Sequence, residues 1–454
     1  MGRRKLFASM LAIAILAGCS SGGGATGNDT QVLPKPAPSS NYIKHVVIIV
    51  QENRSFDDVF EGFPGANTAT SGTMSNGTVV QLTSRPLNTL EDIDHHHSTF
   101  EAAYDGGKMD GFDKEGYSPA GNPGGYNELA GTVPYHYIAR SDVQPYWDLA
   151  QQYTLADDMF STQSSGSYTA HQELIAGTTP AVSPGRIVDF PTNLPWGCDA
   201  PSGTTTSIIA TDGSVTTNGP FPCYDYPTIA NLLDAKGVTW KYYAPMVDTG
   251  PTFPNLGGDV WSAFDSVKPV RYGSEWNTNI SSPETNIFTD ISSGKLAQVS
   301  YVIPSMPNSD HDSSGSNTGP SWVSSIVNAV GQSPYWNDTA IVILWDEWGG
   351  WYDNVKPPQL SYDGLGFRVP MIVVSAYAKH GYVSHTQYEF GSVLKFVENT
   401  FGLGSLNTTD VRANSIVDCF DFTQSPSAFK QIQTRYSRRA LLAMPRSYEP
   451  PDNE

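Results

Sequence analysis

The sequence predicts an α/β protein: a doubly wound, largely parallel sheet with helices on both faces. Short, continuous apolar runs, typical of strands buried on both faces, alternate with segments of helical periodicity. Polar residues follow directly after two of these runs, as expected where parallel strands end at a ligand-binding edge. The predicted strands are residues 45–50, 239–243, 298–303, 339–345 and 369–375, and the predicted helices are residues 169–176, 226–236, 321–330 and 388–400.

The amino terminus is typical of an exported protein. A basic start at residues 3–5 precedes an apolar segment at residues 6–17 that is short for a bilayer span. The sequence LAGC at residues 16–19 resembles a bacterial lipobox, which implies cleavage after residue 18 and acylation of Cys19. We therefore expect a lipid anchor in a bacterial membrane, periplasmic or at the cell surface. The alternative is an ordinary secretory signal whose cleavage site contains a cysteine.

The predicted domain organisation has four parts. Residues 1–18 form the signal peptide, and residues 19–41 form the lipidated cysteine with a flexible linker rich in Gly, Ser and Pro. Residues 42–424 form one catalytic domain, in which residues 60–135 are a loop-rich cover over the strand ends. Residues 425–454 form a carboxyl-terminal extension.

Charge and cysteine content restrict the function. A net charge of −19 argues against nucleic acid and anionic bilayers as electrostatic partners. A site that handles phosphate would therefore need local positive charge, and a metal ion is its simplest source. Cys198 and Cys223 bracket a Gly/Ser/Thr-rich loop and are the expected disulfide, which leaves Cys419 as a buried free thiol.

Two predicted strands end in residues that can bind a cation. Glu52 and Asn53 follow the first strand, and Asp346 and Glu347 follow the fourth. Adjacent buried acids repel each other, and a divalent cation with oxygen ligands would relieve that repulsion. The alternative is that the second pair only caps the turn that follows at residues 349–350.

Hydroxyl groups and loop histidines supply further candidates. A hydroxyl-rich segment, residues 161–169, runs into the predicted helix that continues to residue 176. The start of a helix suits a phosphoryl group and an activated nucleophile, although Ser and Thr there are more commonly simple caps. His95–His97, His311 and His385 lie in predicted loops, where imidazole can bind phosphoryl oxygens or protonate a leaving group.

Together these elements resemble the bacterial phosphoesterase family that includes non-haemolytic phospholipases C and an acid phosphatase, within the alkaline-phosphatase-like fold. The matching segments span residues 42–405 and include VVIIVQENRSFDDVFEGFPG, YDGGKMDGF, AHQELIAG and ILWDEWGGWYDNVKPP. The ENRSFD element followed by the acidic Gly-Gly element, in this order, is specific to the family.

The resemblance implies roles for particular residues. The implied metal ligands are Glu52, Asn53, Asp346 and Glu347. The implied nucleophile is Ser167, with Ser165 and Thr169 as alternatives. The implied active-site histidines are His311 and His95, with His97 as a second candidate for the latter.

Two positions depart from the family pattern. The family commonly has Gly-Pro before its nucleophile, where this chain has Ser165-Gly166, so the register of the nucleophile is open. The family also commonly has a histidine where this chain has Asn354.

The resemblance implies a metal-dependent hydrolase of phosphoric esters that acts through a phosphoserine. Oxygen-rich ligation suits Ca²⁺, Mg²⁺ or Mn²⁺, and the histidines leave Zn²⁺ and iron open. Phospholipases C of the family carry extra carboxyl-terminal modules, whereas this chain ends soon after the last predicted helix, which favours acid-phosphatase-like activity. The alternatives are a phospholipase C acting on phosphatidylcholine-type lipids and a non-catalytic surface lipoprotein that retains the fold.

Overall fold

The computed structural model describes residues 39–119, 125–245 and 262–445, and an eight-stranded sheet lies at its centre. In chain order the strands are β1 His45–Gln51, β2 Thr154–Ala156, β3 Trp240–Tyr243, β4 Ile280–Ser281, β5 Val299–Val302, β6 Thr339–Trp345, β7 Met371–Ser375 and β8 Tyr382–Ser384. The order across the sheet is β4-β3-β5-β1-β6-β7-β2-β8. Strand β7 is antiparallel to both neighbours, and all other neighbouring strands are parallel. The predicted largely parallel sheet is confirmed.

Eight helices of five or more residues matter for the description below. They are α1 Phe56–Phe60, α2 His97–Tyr104, α3 Arg140–Gln152, α4 Ser167–Ala176, α5 Ile229–Lys236, α6 Asn286–Ser292, α7 Gly319–Gly331 and α8 Phe390–Phe401. Four-residue helical segments lie at Ser39–Tyr42, Lys268–Arg271, Glu275–Thr278 and Thr409–Arg412, and a further five-residue helix lies at Arg438–Leu442. Each predicted strand and helix is present, with boundaries shifted by at most three residues.

Helices cover both faces of the sheet. Gln51 and Ile48 of β1 point to opposite faces, because side chains alternate along a strand. Gln51 Nε2 donates to Tyr146 Oη of α3 at 3.0 Å. Tyr301, which pairs with Ile48 and shares its face, donates from Oη to the carbonyl of Leu174 in α4 at 3.1 Å. Helices α3 and α4 therefore lie on opposite faces, which confirms the doubly wound arrangement.

The central strands owe their stability to this double cover. Residues 46–50 of β1 and all of β7 are fully buried, so every apolar side chain leaves water on folding. Each such Val, Ile or Leu contributes about 1.5–3 kcal/mol. A one-residue slip would exchange the two faces of β1 and misplace the polar residues that follow it.

The cover predicted at residues 60–135 consists of loops, α2 and short strands. The strands pair as Ser71–Thr73 with Val79–Gln81, Thr83–Arg85 with His136–Ile138, and Asp92–Ile93 with Gly116–Ser118 and Glu128–Leu129. Phe100, Phe112 and Tyr135 of this region form a second apolar cluster with Trp348 and Tyr352. Since those two residues lie in the turn segment after β6, the cluster attaches the cover to the end of that strand.

Other parts of the chain complete the fold. A separate four-stranded sheet consists of Ala181–Val182, Gly185–Val188, Ser207–Ala210 and Val215–Thr216. The expected disulfide between Cys198 and Cys223 is present, and Cys419 is free and buried. In the predicted carboxyl-terminal extension, Ile432 exchanges two 2.9 Å hydrogen bonds with Asn328 of α7, so its described part packs on the domain.

Two observations bear on the membrane. The predicted signal peptide and Cys19 lie outside the described residues. None of the described helices has the length and apolar character that a membrane span requires.

Candidate active site

The ENRSFD element forms a compact turn at the end of β1. The amide of Glu52 donates to the carbonyl of Ser309 at 2.8 Å, which joins this turn to the loop after β5. Asn53 has a φ of 56°, a left-handed conformation that asparagine tolerates better than most residues. Ser55 then caps α1 by accepting from the amide of Asp58 at 3.2 Å. The turn therefore places Glu52 and Asn53 at the strand end while the chain reverses into a helix.

The end of β6 lies directly beside this turn. The amide of Asp346 donates to the carbonyl of Gln51 at 2.9 Å. Asp346 Oδ1 accepts from the amides of Asn53 at 2.9 Å and Glu347 at 2.8 Å. Gly349 adopts a φ of 62° and packs against the Asn53 backbone so closely that a side chain there would clash. The two predicted strand ends thus form one rim.

Helix α4 brings Ser167 to the same rim. Ser167 is the first residue of this ten-residue helix, and its Oγ donates to Asn53 Oδ1 at 3.2 Å. Gly166 precedes it in an extended conformation, and a side chain at that position would clash with the Phe190 ring. The departure from the family's Gly-Pro therefore still provides a glycine at a position where a side chain does not fit.

His171 is a site residue that the sequence analysis missed. Its Nε2 lies 3.0 Å from Glu52 Oε1 and 3.7 Å from Asp346 Oδ2. His171 follows Ser167 by four residues in the same helix, so the two side chains lie on one face. The spacing could have predicted this role, because a residue one turn after an active-site serine in a helix lies on the same face as the serine.

Glu52, His171 and Asp346 form a buried group with ligand atoms within 4.8 Å of one another. Burial raises the pKa of Asp346 well above its usual value, and Glu52 raises it further. Burial lowers the pKa of His171 to about 4, although Asp346 opposes this shift. His171 is therefore neutral at pH 7 and cannot balance the two acids. Two carboxylates, an imidazole and the nearby Asn53 and Ser167 oxygens are a donor set that fits a divalent cation.

The alternative nucleophiles make other contacts. Ser165 Oγ donates to Asp189 Oδ1 at 3.0 Å and accepts from the Asp189 amide at 2.9 Å. Thr169 Oγ1 donates back to the carbonyl of Gly166 at 3.0 Å. Of the three candidate hydroxyls, only Ser167 contacts Asn53 in the described structure.

His95 orients the Asn53 amide. Its Nδ1 donates to the carbonyl of Ile93 at 2.7 Å, so a neutral ring accepts through Nε2 from Asn53 Nδ2 at 3.1 Å. This contact turns Asn53 Oδ1 toward Ser167. Glu347 lies on the same side, with Oε1 3.7 Å from His95 Nε2 and Oε2 accepting from the Gly349 amide at 2.7 Å. Glu347 is thus next to the group of Glu52, His171 and Asp346 rather than within it.

The remaining histidines occupy different surroundings. His311 lies two residues after Ser309, whose carbonyl binds the Glu52 amide. His97 Nδ1 contacts the carbonyl of Ser164 at 2.8 Å and its hydroxyl at 3.0 Å. His385 pairs with Asp157 at 2.8 Å and is largely exposed. The bond between Ser309 and Glu52 therefore ties the segment of His311 to the rim, whereas His385 lies beside Asp157.

Asn354 belongs to a separate buried network. Its Oδ1 accepts from Arg368 Nη2 at 2.7 Å, and its amide donates to Asp57 Oδ2 at 2.9 Å. Arg368 also donates to both carboxylate oxygens of Asp353, at 2.7 and 3.0 Å. The asparagine at this position is therefore part of an ion-pair network, and this departure from the family leaves the group of Glu52, His171 and Asp346 intact.

Comparison with known proteins gives consistent matches. A model of the phosphoesterase family matches residues 43–404. The chain is 25% identical to phospholipase C B of Mycobacterium tuberculosis, over 89% of this chain and 82% of that protein. It is 24% identical to non-hemolytic phospholipase C of Pseudomonas aeruginosa, over 88% of this chain and 60% of that protein. A solved structure of a protein in the alkaline phosphatase superfamily from Vibrio parahaemolyticus aligns with a TM-score of 0.38 and 10% identity, over 83% of this chain and 72% of that chain. The family match includes β1, α4 and β6, which carry the rim.

Proposed function

Since the chain belongs to the phosphoesterase family and is a phosphoric ester hydrolase, we propose that it uses a divalent cation and forms a phosphoserine on Ser167. The contact between Ser167 Oγ and Asn53 Oδ1, beside the buried Glu52 and Asp346, is the observation that supports this most. It joins a hydroxyl at a helix start to the rim that carries two buried acids and His171.

The cation would be held by Glu52, Asn53 and Asp346, with His171 as a further donor. When bound, it supplies positive charge that lowers the pKa of the serine hydroxyl and neutralises charge on the phosphoryl oxygens. The oxygen donors suit Mg²⁺, Ca²⁺ or Mn²⁺, whereas His171 suits Zn²⁺ or iron. His95 orients Asn53, and Glu347 borders the site beside His95.

Ser167 and His311 then take part in two successive transfers of the phosphoryl group. Ser167, having lost its proton to solvent, attacks phosphorus as the bond to the leaving oxygen breaks, and His311 gives that oxygen a proton. Water next attacks the phosphoserine and the Oγ–phosphorus bond breaks; Ser167 Oγ takes a proton back from solvent, and His311 takes the proton from the attacking water. The products are an alcohol and inorganic phosphate, and both residues return to their starting states.

The nucleophile is tested with a pair of serine variants. We expect Ser167→Ala to lower turnover of a chromogenic phosphomonoester by at least about 10³-fold, because the attacking group is lost. Ser165→Ala is the matched control and should keep most of the activity. Mass spectrometry of acid-quenched enzyme should find phosphate on the peptide containing Ser167. Full activity of Ser167→Ala would contradict the proposal.

A second candidate function is phospholipase C activity on phosphatidylcholine-type lipids. The observation that favours it is that both relatives described above are phospholipases C and match most of this chain. Parallel assays of phosphomonoester turnover and of phosphocholine release from lipid distinguish the two substrate classes.

We also propose that the protein is exported and carries a lipid anchor on Cys19, and this rests on residues 1–19 alone.

A further inference from the structure

We propose that Asp312 is a positioning residue that fixes the ring of His311 for protonation of the leaving group. Asp312 Oδ1 lies 3.1 Å from His311 Nδ1, and both side chains are fully buried. Ser313 Oγ lies 3.2 Å from the same nitrogen and is the competing partner. This inference rests on the proposed function of His311, and it assigns a role to a carboxylate outside the cation group.

The backbone holds His311 and Asp312 in a fixed relation to the rim. The amide of His311 donates to Ser309 Oγ at 3.1 Å, and the carbonyl of Ser309 accepts from the amide of Glu52. Asp312 begins a single helical turn, Asp312–Ser314, and its Oδ1 also accepts from the amide of Ser313 at 3.2 Å. The carboxylate is therefore held by its own turn, and the histidine by the strand end.

Arginine side chains contribute positive charge near Asp312. Arg54 and Arg85 both lie over the Trp351 ring, at 5.1 and 4.8 Å from its centre. Burial and Arg54 lower the pKa of Arg85, whereas Asp58 and Asp312 raise it, so Asp312 and Arg85 attract each other. Two further acids belong to this cluster: Asp58 pairs with Arg54 at 3.3 Å, and Glu91 pairs with Arg85. The arginines can thus stabilise a carboxylate in a place from which water is largely excluded.

The contact with the Asp312 carboxylate determines which ring nitrogen of His311 carries the proton. A carboxylate only accepts hydrogen bonds, so it favours a proton on Nδ1. The opposite nitrogen, Nε2, then receives and donates the proton that moves during the reaction. An asparagine at position 312 can donate as well as accept, so it removes this preference without changing the shape of the side chain.

The first test varies the leaving group. For Asp312→Asn we expect kcat/KM on phenyl phosphate to fall about 10–100-fold, the usual effect of losing an orienting partner. On 2,4-dinitrophenyl phosphate, whose leaving group needs no proton, the loss should stay within about 3-fold. That unchanged activity also shows that the variant folds. Ser313→Ala should change both substrates by less than about 3-fold.

Two results would overturn the inference. One is an equal loss on both substrates, which would indicate a structural role for Asp312. The other is a leaving-group dependence that appears in Ser313→Ala and is absent from Asp312→Asn, which would assign the orienting role to the serine.

A second test does not depend on activity. Ring ¹⁵N shifts of histidine-labelled full-length protein should show His311 protonated on Nδ1 and should change tautomer in Asp312→Asn, with His311→Gln providing the assignment. An unchanged tautomer contradicts the inference. If the wild-type protein hydrolyses no phosphate ester, the proposed function fails, and the tautomer still decides whether Asp312 orients His311.

Discussion

Two buried acidic pairs lie at the carboxyl ends of β1 and β6, and they are balanced differently. Asp57 and Asp353 share the guanidinium of Arg368, which binds Asp353 through two hydrogen bonds. Burial and Asp353 raise the pKa of Asp57, and Arg368 lowers it. Glu52 and Asp346 instead share His171, whose pKa burial lowers to about 4. One pair thus has a permanent positive partner, and the other has a partner that is neutral at pH 7.

This difference in charge distinguishes the structural network around Arg368 from the candidate cation site around His171. Arg368 also donates to the carbonyls of Asn67 and Asp157, so it binds the cover and the β2 end of the sheet at once. In this network the protein itself supplies a positive charge to the buried acids. Among the influences that set the pKa of Asp346 are burial, Glu52, His171 and the Asn53 amide, and none of these is a Lys or Arg. A bound cation would supply positive charge to this pair.

The largest expected effect is on stability, in the arginine network. Arg368→Met should lower the free energy of unfolding by about 3–5 kcal/mol, because it leaves buried carboxylates without their partner. Urea denaturation with and without chelator measures this, and the loss should be the same in both. The matched control is Arg435→Met, since Arg435 pairs with Asp142 at 3.0 Å but is 58% exposed and should contribute at most about 1 kcal/mol. Equal losses in the two variants would contradict the account of the network.

A smaller effect of opposite sign is expected at Asp346. In chelator, Asp346→Asn should raise the free energy of unfolding by on the order of 1 kcal/mol, because repulsion with Glu52 is removed. The asparagine oxygen can still accept from the amides of Asn53 and Glu347, so the fold should not suffer. Chemical denaturation at pH 7 measures the change. A variant that is less stable than wild type in chelator would show that favourable interactions of the Asp346 carboxylate outweigh its repulsion with Glu52.

The smallest effect is expected at the residue that departs from the family. Asn354→His should lower stability by up to about 1 kcal/mol, because Arg368 loses a hydrogen-bond acceptor. Cation affinity should stay within about 3-fold of wild type, since Asn354 lies in the arginine network. Titration of the variant with the preferred cation checks this. A gain in affinity would place the histidine of the family closer to the cation than the contacts of Asn354 indicate.

Much of the fold was predictable because it depends on local patterns. The fully apolar runs of β1 and β6 can only be strands covered on both faces, and both were predicted. Helix α3 was not predicted, and Pro145 at its sixth position is a residue that ordinarily ends a helix. Strands β2 and β8 have three residues each, too few for periodicity to be visible. Their pairing comes from the tertiary structure.

The site was predictable where strand ends carry it and less so elsewhere. Glu52, Asn53 and Asp346 come together because parallel neighbouring strands end at one edge. The sequence around His171 is typical of an ordinary buried helix, and its partner Glu52 is 119 residues away in the sequence. Local patterns therefore do not bring the two residues together. Glu347 lies beside His95 because of the turn at Gly349. Its position next to Asp346 in the sequence does not predict this placement.

The most direct test of the central claim is a cation titration. Chelator-treated wild-type protein and two matched variants, Asp346→Asn and Asp353→Asn, would be titrated calorimetrically at pH 7 with Mg²⁺, Ca²⁺, Mn²⁺ and Zn²⁺. We expect one bound cation per chain for wild type and for Asp353→Asn, and at least about 100-fold weaker binding for Asp346→Asn. If wild type binds none of these cations, or if both variants lose binding equally, then the pair of Glu52 and Asp346 is not a cation site.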